Sequence, residues 1–101
     1  MKKVYICSPL RGDYIQNIEN AKKYSREAVL SGYIPVTPHI YFTQFMDDSN
    51  SEERELALKI GLELLRSCDE IWILGPHISE GMKTEIDLAR RLSIKVGRME
   101  V

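Results

Sequence analysis

Apolar positions follow two rhythms along the chain. "KKVYICS", Lys2 to Ser8, is a β-branched and aromatic run that stops at Pro9, which predicts a strand. Behind Asp13 and Gln16, spaced like a capping box, Ile15, Ile18, Ala21, Ala28 and Val29 recur at helical intervals until Gly32. "YIPVT", Tyr33 to Thr37, predicts a short second strand bounded by Pro38. "PHIYFTQFMDDSN" reads as a long connection, aromatic through Tyr41, Phe42 and Phe45. Ser49 and Glu52 form a second capping-box pattern, and Leu56, Ile60, Leu64 and Leu65 predict the buried stripe of a helix running to about Cys68. "EIWILG", Glu70 to Gly75, has too few polar positions for a half-exposed edge and predicts a central strand. A third helix is expected from about Ser79 to Leu92, then a last strand in "SIKVG", Ser93 to Gly97.

Strands alternating with helices predict an α/β fold: a Rossmann- or flavodoxin-like parallel sheet of four or five strands with helices on both faces and right-handed crossovers. Ligands of such sheets bind beyond the carboxyl ends of the strands, where the winding reverses. Ser8 to Asp13, Thr37 to Asp48 and Gly75 to Glu85 are therefore expected to converge on one crevice.

Composition narrows what the crevice could hold. The chain has 101 residues, suited to a single domain over 1–101, with 14 Lys and Arg against 15 Asp and Glu. That balance gives no basic field for nucleic acid and no polybasic segment for a membrane surface. No segment approaches the roughly 20 apolar residues of a membrane span, and the apolar start is too short for a signal peptide. Cys7 and Cys68 form no CxxC pair and read as reduced, buried thiols of a cytoplasmic protein.

Candidate chemistry concentrates in "ISEGMKTEID". A cap at Ser79 would leave the amides near Gly81 and Met82 without intrahelical partners, a favourable arrangement for a phosphate or carboxylate. Gly81 and Glu85 stand four apart, on one helical face, so the glycine would leave space above the Glu85 carboxylate. A carboxylate in such a cleft suits attack on an electron-poor sugar carbon; equally, Gly81 eases packing and Glu85 is solvated. In "SPLRGD", Arg11 and Gly12 suit anion recognition, or form a plain turn. The loop lacks the glycines and lysine of a dinucleotide fingerprint or Walker motif. His39 is either a ligand or acid–base group or a structural hydrogen-bonding residue. No ligand pair has metal-binding spacing.

"VYICSPLRG", "NIENAKKY", "GYIPVTPH", "CDEIWIL" and "SEGMKTEIDLA" together resemble the nucleoside 2-deoxyribosyltransferase-like superfamily, which includes the deoxynucleoside 5′-monophosphate N-glycosidases. That resemblance covers nearly the whole chain, and within the superfamily the chain looks like a small bacterial and phage branch. It implies Glu85 as the nucleophile that attacks the anomeric carbon. It also implies Ser79 and Gly81, with Ser8 and Arg11, as the 5′-phosphate site, no cofactor, a nucleoside or nucleotide as small-molecule partner, and a homodimer or higher assembly. The family's aspartate, about 24 residues before the glutamate, falls on Gly61 here. Glu63 faces elsewhere on its helix, Asp69 lies at the wrong end of the sheet, and no sequence rule gives the acid's role to His39. Three readings follow: an N-glycosidase or deoxyribosyltransferase; a protein that senses or sequesters a nucleotide-derived signal such as an ADP-ribose derivative without turning it over; or a structural or interaction protein with a vestigial pocket.

Overall fold

The computed structural model describes residues 1–100. In chain order the elements are β1 (Lys3–Cys7), α1 (Tyr14–Leu30), β2 (Ile34–Val36), α2 (Pro38–Phe42), α3 (Ser51–Arg66), β3 (Glu70–Ile73), α4 (Glu80–Arg91) and β4 (Lys95–Arg98). All strand pairs are parallel, in the order β2-β1-β3-β4. Pro35, which has no amide hydrogen, is tolerated because β2 is an edge strand.

Side chains alternate across the sheet with period two, so β1 and β3 each feed two cores. On one face Val4, Ile6, Trp72 and Leu74 pack with Ala28 of α1 and with Tyr24 and Tyr33. On the other, Tyr5, Cys7, Ile71 and Ile73 meet Leu65 of α3 and Met82, Ile86 and Ala89 of α4. The crossover helices thus cover both faces, as the alternating pattern predicts. No helix among the described residues is long and apolar enough to cross a membrane.

Four local expectations change. The aromatic connection contains a helical turn, α2, begun by Pro38 at its first position, where a missing amide hydrogen costs nothing. The side chain capping α3 is Asn50, not Ser49: it accepts from the amides of Glu52 at 3.0 Å and Glu53 at 3.1 Å, while Asp47 takes the Ser49 amide. On α1, small Ala21 and Ala28 face the sheet and leave Ile15 and Val29 exposed. On α3 the buried stripe runs through Gly61 and Leu65, about 100° around the axis from Ile60 and Leu64. Gly61 explains that rotation, because a Cβ there would stand 3.3 Å from the Tyr5 hydroxyl, closer than most side chains allow. Leu56, Ile60 and Leu64 consequently face outward.

Candidate active site

At the carboxyl end of the sheet, β1 presents Tyr5 and Cys7 on the face covered by α3 and α4. α4 begins just beyond β3, and its second turn swings Glu85 over that pair. The Tyr5 hydroxyl donates to Glu85 Oε2, and the Cys7 thiol donates to Oε1 at 3.5 Å. Glu85 is half-buried and lines a cavity of about 670 Å³ with Tyr5, Gly61, Ser79 and Gly81. Burial pushes its pKa from 4.5 up to about 7, against the opposing pull of the Tyr5 and Cys7 hydrogen bonds. At neutral pH Glu85 is therefore divided between carboxylic acid and carboxylate. Burial and the neighbouring carboxylate push the Tyr5 phenol and the Cys7 thiol upward, so both stay protonated and able to donate.

The walls bring together most of the residues singled out in the sequence. Ser8 is buried and shares a hydrogen bond with His39 Nε2 at 3.1 Å. Burial lowers the His39 pKa to about 4, so its ring is neutral near pH 7. Arg11 lies at the mouth, largely exposed, with its guanidinium 3.6 Å from Asp48 across the opening. Gly12 has φ 99° and supports the turn into α1; it is not among the cavity-lining residues. Glu63 is exposed and pairs with Arg66, and Asp69 accepts from the Lys3 amide at the opposite end of the sheet. Neither acid reaches the cavity.

Ser79 caps α4 as its sequence suggests, but the cap alters the expected anion site. Its hydroxyl accepts from the Met82 amide at 3.3 Å, and the Met82 side chain is buried in the core. The Met82 amide is therefore occupied, which leaves those of Glu80 and Gly81 at the helix start. A Cβ at Gly81 would meet nothing within 4 Å, so the space above Glu85 is open.

Three contributors escaped the sequence reading. Tyr5 and Cys7 were legible in principle, since period-two alternation puts them on one face of β1. Arg54 lines the cavity from α3, two turns before Gly61 on the same helical face, and forms no ion pair among the described residues. With Asp47, Asp48, Glu53 and Glu80 also in the walls, Arg54 and Arg11 are the cations of an acid-rich cavity. No group of three or more His, Cys, Asp or Glu side chains among the described residues is placed to hold a metal ion.

Comparison with known proteins gives the family of the chain and a likeness of fold. Residues 2–99 match the family described as "Domain of unknown function (DUF7768)", and the chain belongs to it. The fold is similar to that of the 2-deoxyribosyltransferase from the psychrotolerant bacterium Bacillus psychrosaccharolyticus, with a TM-score of 0.69. That likeness covers 97% of this chain and 72% of the other at 19% sequence identity. No curated protein matches the chain.

Proposed function

We propose that the protein acts on the N-glycosidic bond of a nucleoside or (deoxy)nucleoside 5′-monophosphate, as an N-glycosidase or deoxyribosyltransferase with Glu85 as nucleophile. One observation carries the reading: a half-buried carboxyl is fixed by two donors at the floor of a cavity open above it. In the first step a Glu85 oxygen bonds to the anomeric carbon while the carbon–nitrogen bond breaks, its electron pair leaving with the base. Water or a second base then displaces Glu85 from the sugar. The step requires ionised Glu85, so activity rises with pH through about 7. Tyr5 and Cys7 hold the carboxylate in one orientation, Gly81 leaves room for the sugar, and Ser8, Arg11 and Ser79 are assigned to the phosphate end.

A second reading rests on Gly61. It borders the Tyr5–Glu85 pair where the resembling enzymes carry an aspartate, and it has no proton to give. His39 is a poor substitute, because a neutral imidazole donates a hydrogen bond far more readily than a proton. General acid assistance is typically worth about 10² to 10⁴ in rate, so its loss favours a protein that binds a nucleotide-derived signal without cleaving it.

Incubation with a panel of ribo- and deoxyribonucleosides and their 5′-monophosphates, with free bases separated by chromatography, decides between the two. Base release by the wild type that disappears in Glu85→Gln supports the enzyme. A thermal shift with a panel member and no base release supports the binder. Neither response to any member overturns both.

A further inference from the structure

The Glu85 cavity combines two features that a reaction on ordinary nucleosides leaves unexplained: it has no general acid, and its walls are acidic. Gly61 accounts for the first. A Cβ there would stand 3.3 Å from the Tyr5 hydroxyl and 4.0 Å from Pro38, so Tyr5 crowds the space that an acidic side chain would need. Tyr5 does not replace the acid, because its proton is committed to Glu85 and burial pushes its phenol upward. Cys7 is held in the same way, and His39 is a neutral ring hydrogen-bonded with Ser8.

Among the described residues, Asp47, Asp48, Glu53, Glu55 and Glu80 line the walls beside Glu85, against Arg11 and Arg54 and no lysine. Asp48 faces Arg11 at 3.6 Å, and Glu80 faces Lys83 at 3.2 Å. Asp47 accepts from the amide and hydroxyl of Ser49, and Glu53 accepts from the Asp47 amide. These four are arranged as acceptors, not as donors to a departing base. Glu85 and the space above it define the site; the wall acids set the sign of its field.

Both features suit one kind of leaving group. An uncharged base leaves as an anion unless an acid protonates it, and acidic walls repel that anion. A base whose ring already carries a positive charge leaves as a neutral molecule and needs no proton. Phe42, also in the wall, offers an aromatic ring to such a flat cation. As the bond breaks, positive charge passes to the sugar carbon, so the acidic walls remain favourable in the transition state.

We infer that the substrate is an N-glycoside of a permanently cationic base, a pyridinium or an N-alkylated purine. The inference rests on the proposed reaction at Glu85 and names its substrate class. A Glu85 oxygen bonds to the anomeric carbon, the carbon–nitrogen bond breaks, and its electron pair cancels the charge of the ring. Water then displaces Glu85 from the sugar, and the proton that water sheds passes to solvent.

Matched pairs test this on the full chain: N7-methylguanosine against guanosine, and nicotinamide riboside against its reduced, uncharged dihydropyridine form. Each is supplied with its deoxy and 5′-monophosphate counterparts. Free base is measured by chromatography with spontaneous release subtracted, and Glu85→Gln is run alongside. The wild type is expected to cleave a cationic member with kcat/KM at least about 10²-fold above its neutral partner, the low end of what a general acid supplies. That release should vanish in Glu85→Gln. In isothermal titration, Glu85→Gln should bind the cationic member at least about tenfold more tightly in dilute buffer, with the gap shrinking as salt is added. Cleavage confined to one pair would support the inference and say which base the cavity takes. A smaller gap in kcat/KM, or equal binding of both members, would overturn the inference and leave the glycosidic reading intact. No release from any member would overturn that reading and the inference with it.

Discussion

Two carboxyl groups are withdrawn from bulk water on opposite faces of the sheet, and the contrast between them shows what makes a site. Glu70, at the amino end of β3, is buried and accepts from the Tyr33 hydroxyl at 3.1 Å and the Trp72 indole at 3.3 Å. Glu85, at the carboxyl end, likewise accepts from one phenol and a second donor. By hydrogen bonding alone the two are alike. They differ in what lies on the remaining side. Glu70 is closed in by Tyr33 and Trp72, whose rings pack edge to face at 4.9 Å, whereas Glu85 looks into about 670 Å³. A buried, satisfied carboxyl is a structural element; one with an unfilled volume against it can receive a ligand.

Activity should separate the pair most sharply. Glu85→Gln is expected to reduce base release by at least about 10³-fold, as loss of a nucleophile does, and Glu70→Gln to leave it within about twofold. Equal losses from both would erase the distinction. Stability should move in opposite directions. Glu70→Leu leaves the buried Trp72 N–H without an acceptor and should cost about 1–3 kcal/mol in urea denaturation. Glu85→Gln removes a carboxylate that burial disfavours and should stabilise the protein by about 1–3 kcal/mol at pH 8. A loss at pH 8 would mean that the Tyr5 and Cys7 hydrogen bonds outweigh desolvation.

Smaller effects sharpen the picture around Glu85. Gly81→Val should lower ligand affinity by at least about tenfold, or 1.4 kcal/mol, without disturbing circular dichroism. Unchanged affinity would move the ligand away from the space over Glu85. Arg11→Ala should weaken monophosphates by about tenfold and nucleosides hardly at all, in isothermal titration. Equal losses would remove Arg11 from the phosphate end.

The subtlest test is the pH dependence of stability. Glu85 holds its proton more tightly when folded, so its contribution falls as pH rises from 4.5 to about 7. His39 refuses a proton that the unfolded chain accepts, so its contribution falls as pH drops from 6.5 to about 4. The two slopes oppose each other in nearly the same window. Glu85→Gln should therefore make stability rise more steeply with pH, and His39→Gln should make it decline. Parallel profiles for both variants would refute the assignment.

The architecture was largely legible in the sequence, because strand-length apolar runs and helical spacing alternate without interruption and the chain turns at Gly32 and Pro38. The convergence of Ser8, His39, Ser79 and Glu85 followed from topology alone. The orientation of α3 did not. Leu56, Ile60 and Leu64 make as good a helical stripe as Gly61 and Leu65, and a glycine contributes nothing to a hydrophobic pattern even where close packing against Tyr5 selects it. The fate of the Met82 amide was equally hidden, since one serine hydroxyl can cap a helix or greet a ligand and spacing does not say which. Arg54 was missed because the orientation that brings it to the cavity follows from Gly61.

Both cysteines of the chain are buried, Cys7 beneath Glu85 and Cys68 beyond the far end of α3. The protein therefore carries two internal clocks at opposite ends of the sheet. A thiol reagent can reach either sulfur only when the structure opens locally, and the rate of labelling times that opening. A molecule seated over Glu85 should slow the Cys7 clock and leave the Cys68 clock running, which would report occupancy of the cavity by mass spectrometry even for a ligand that is never turned over.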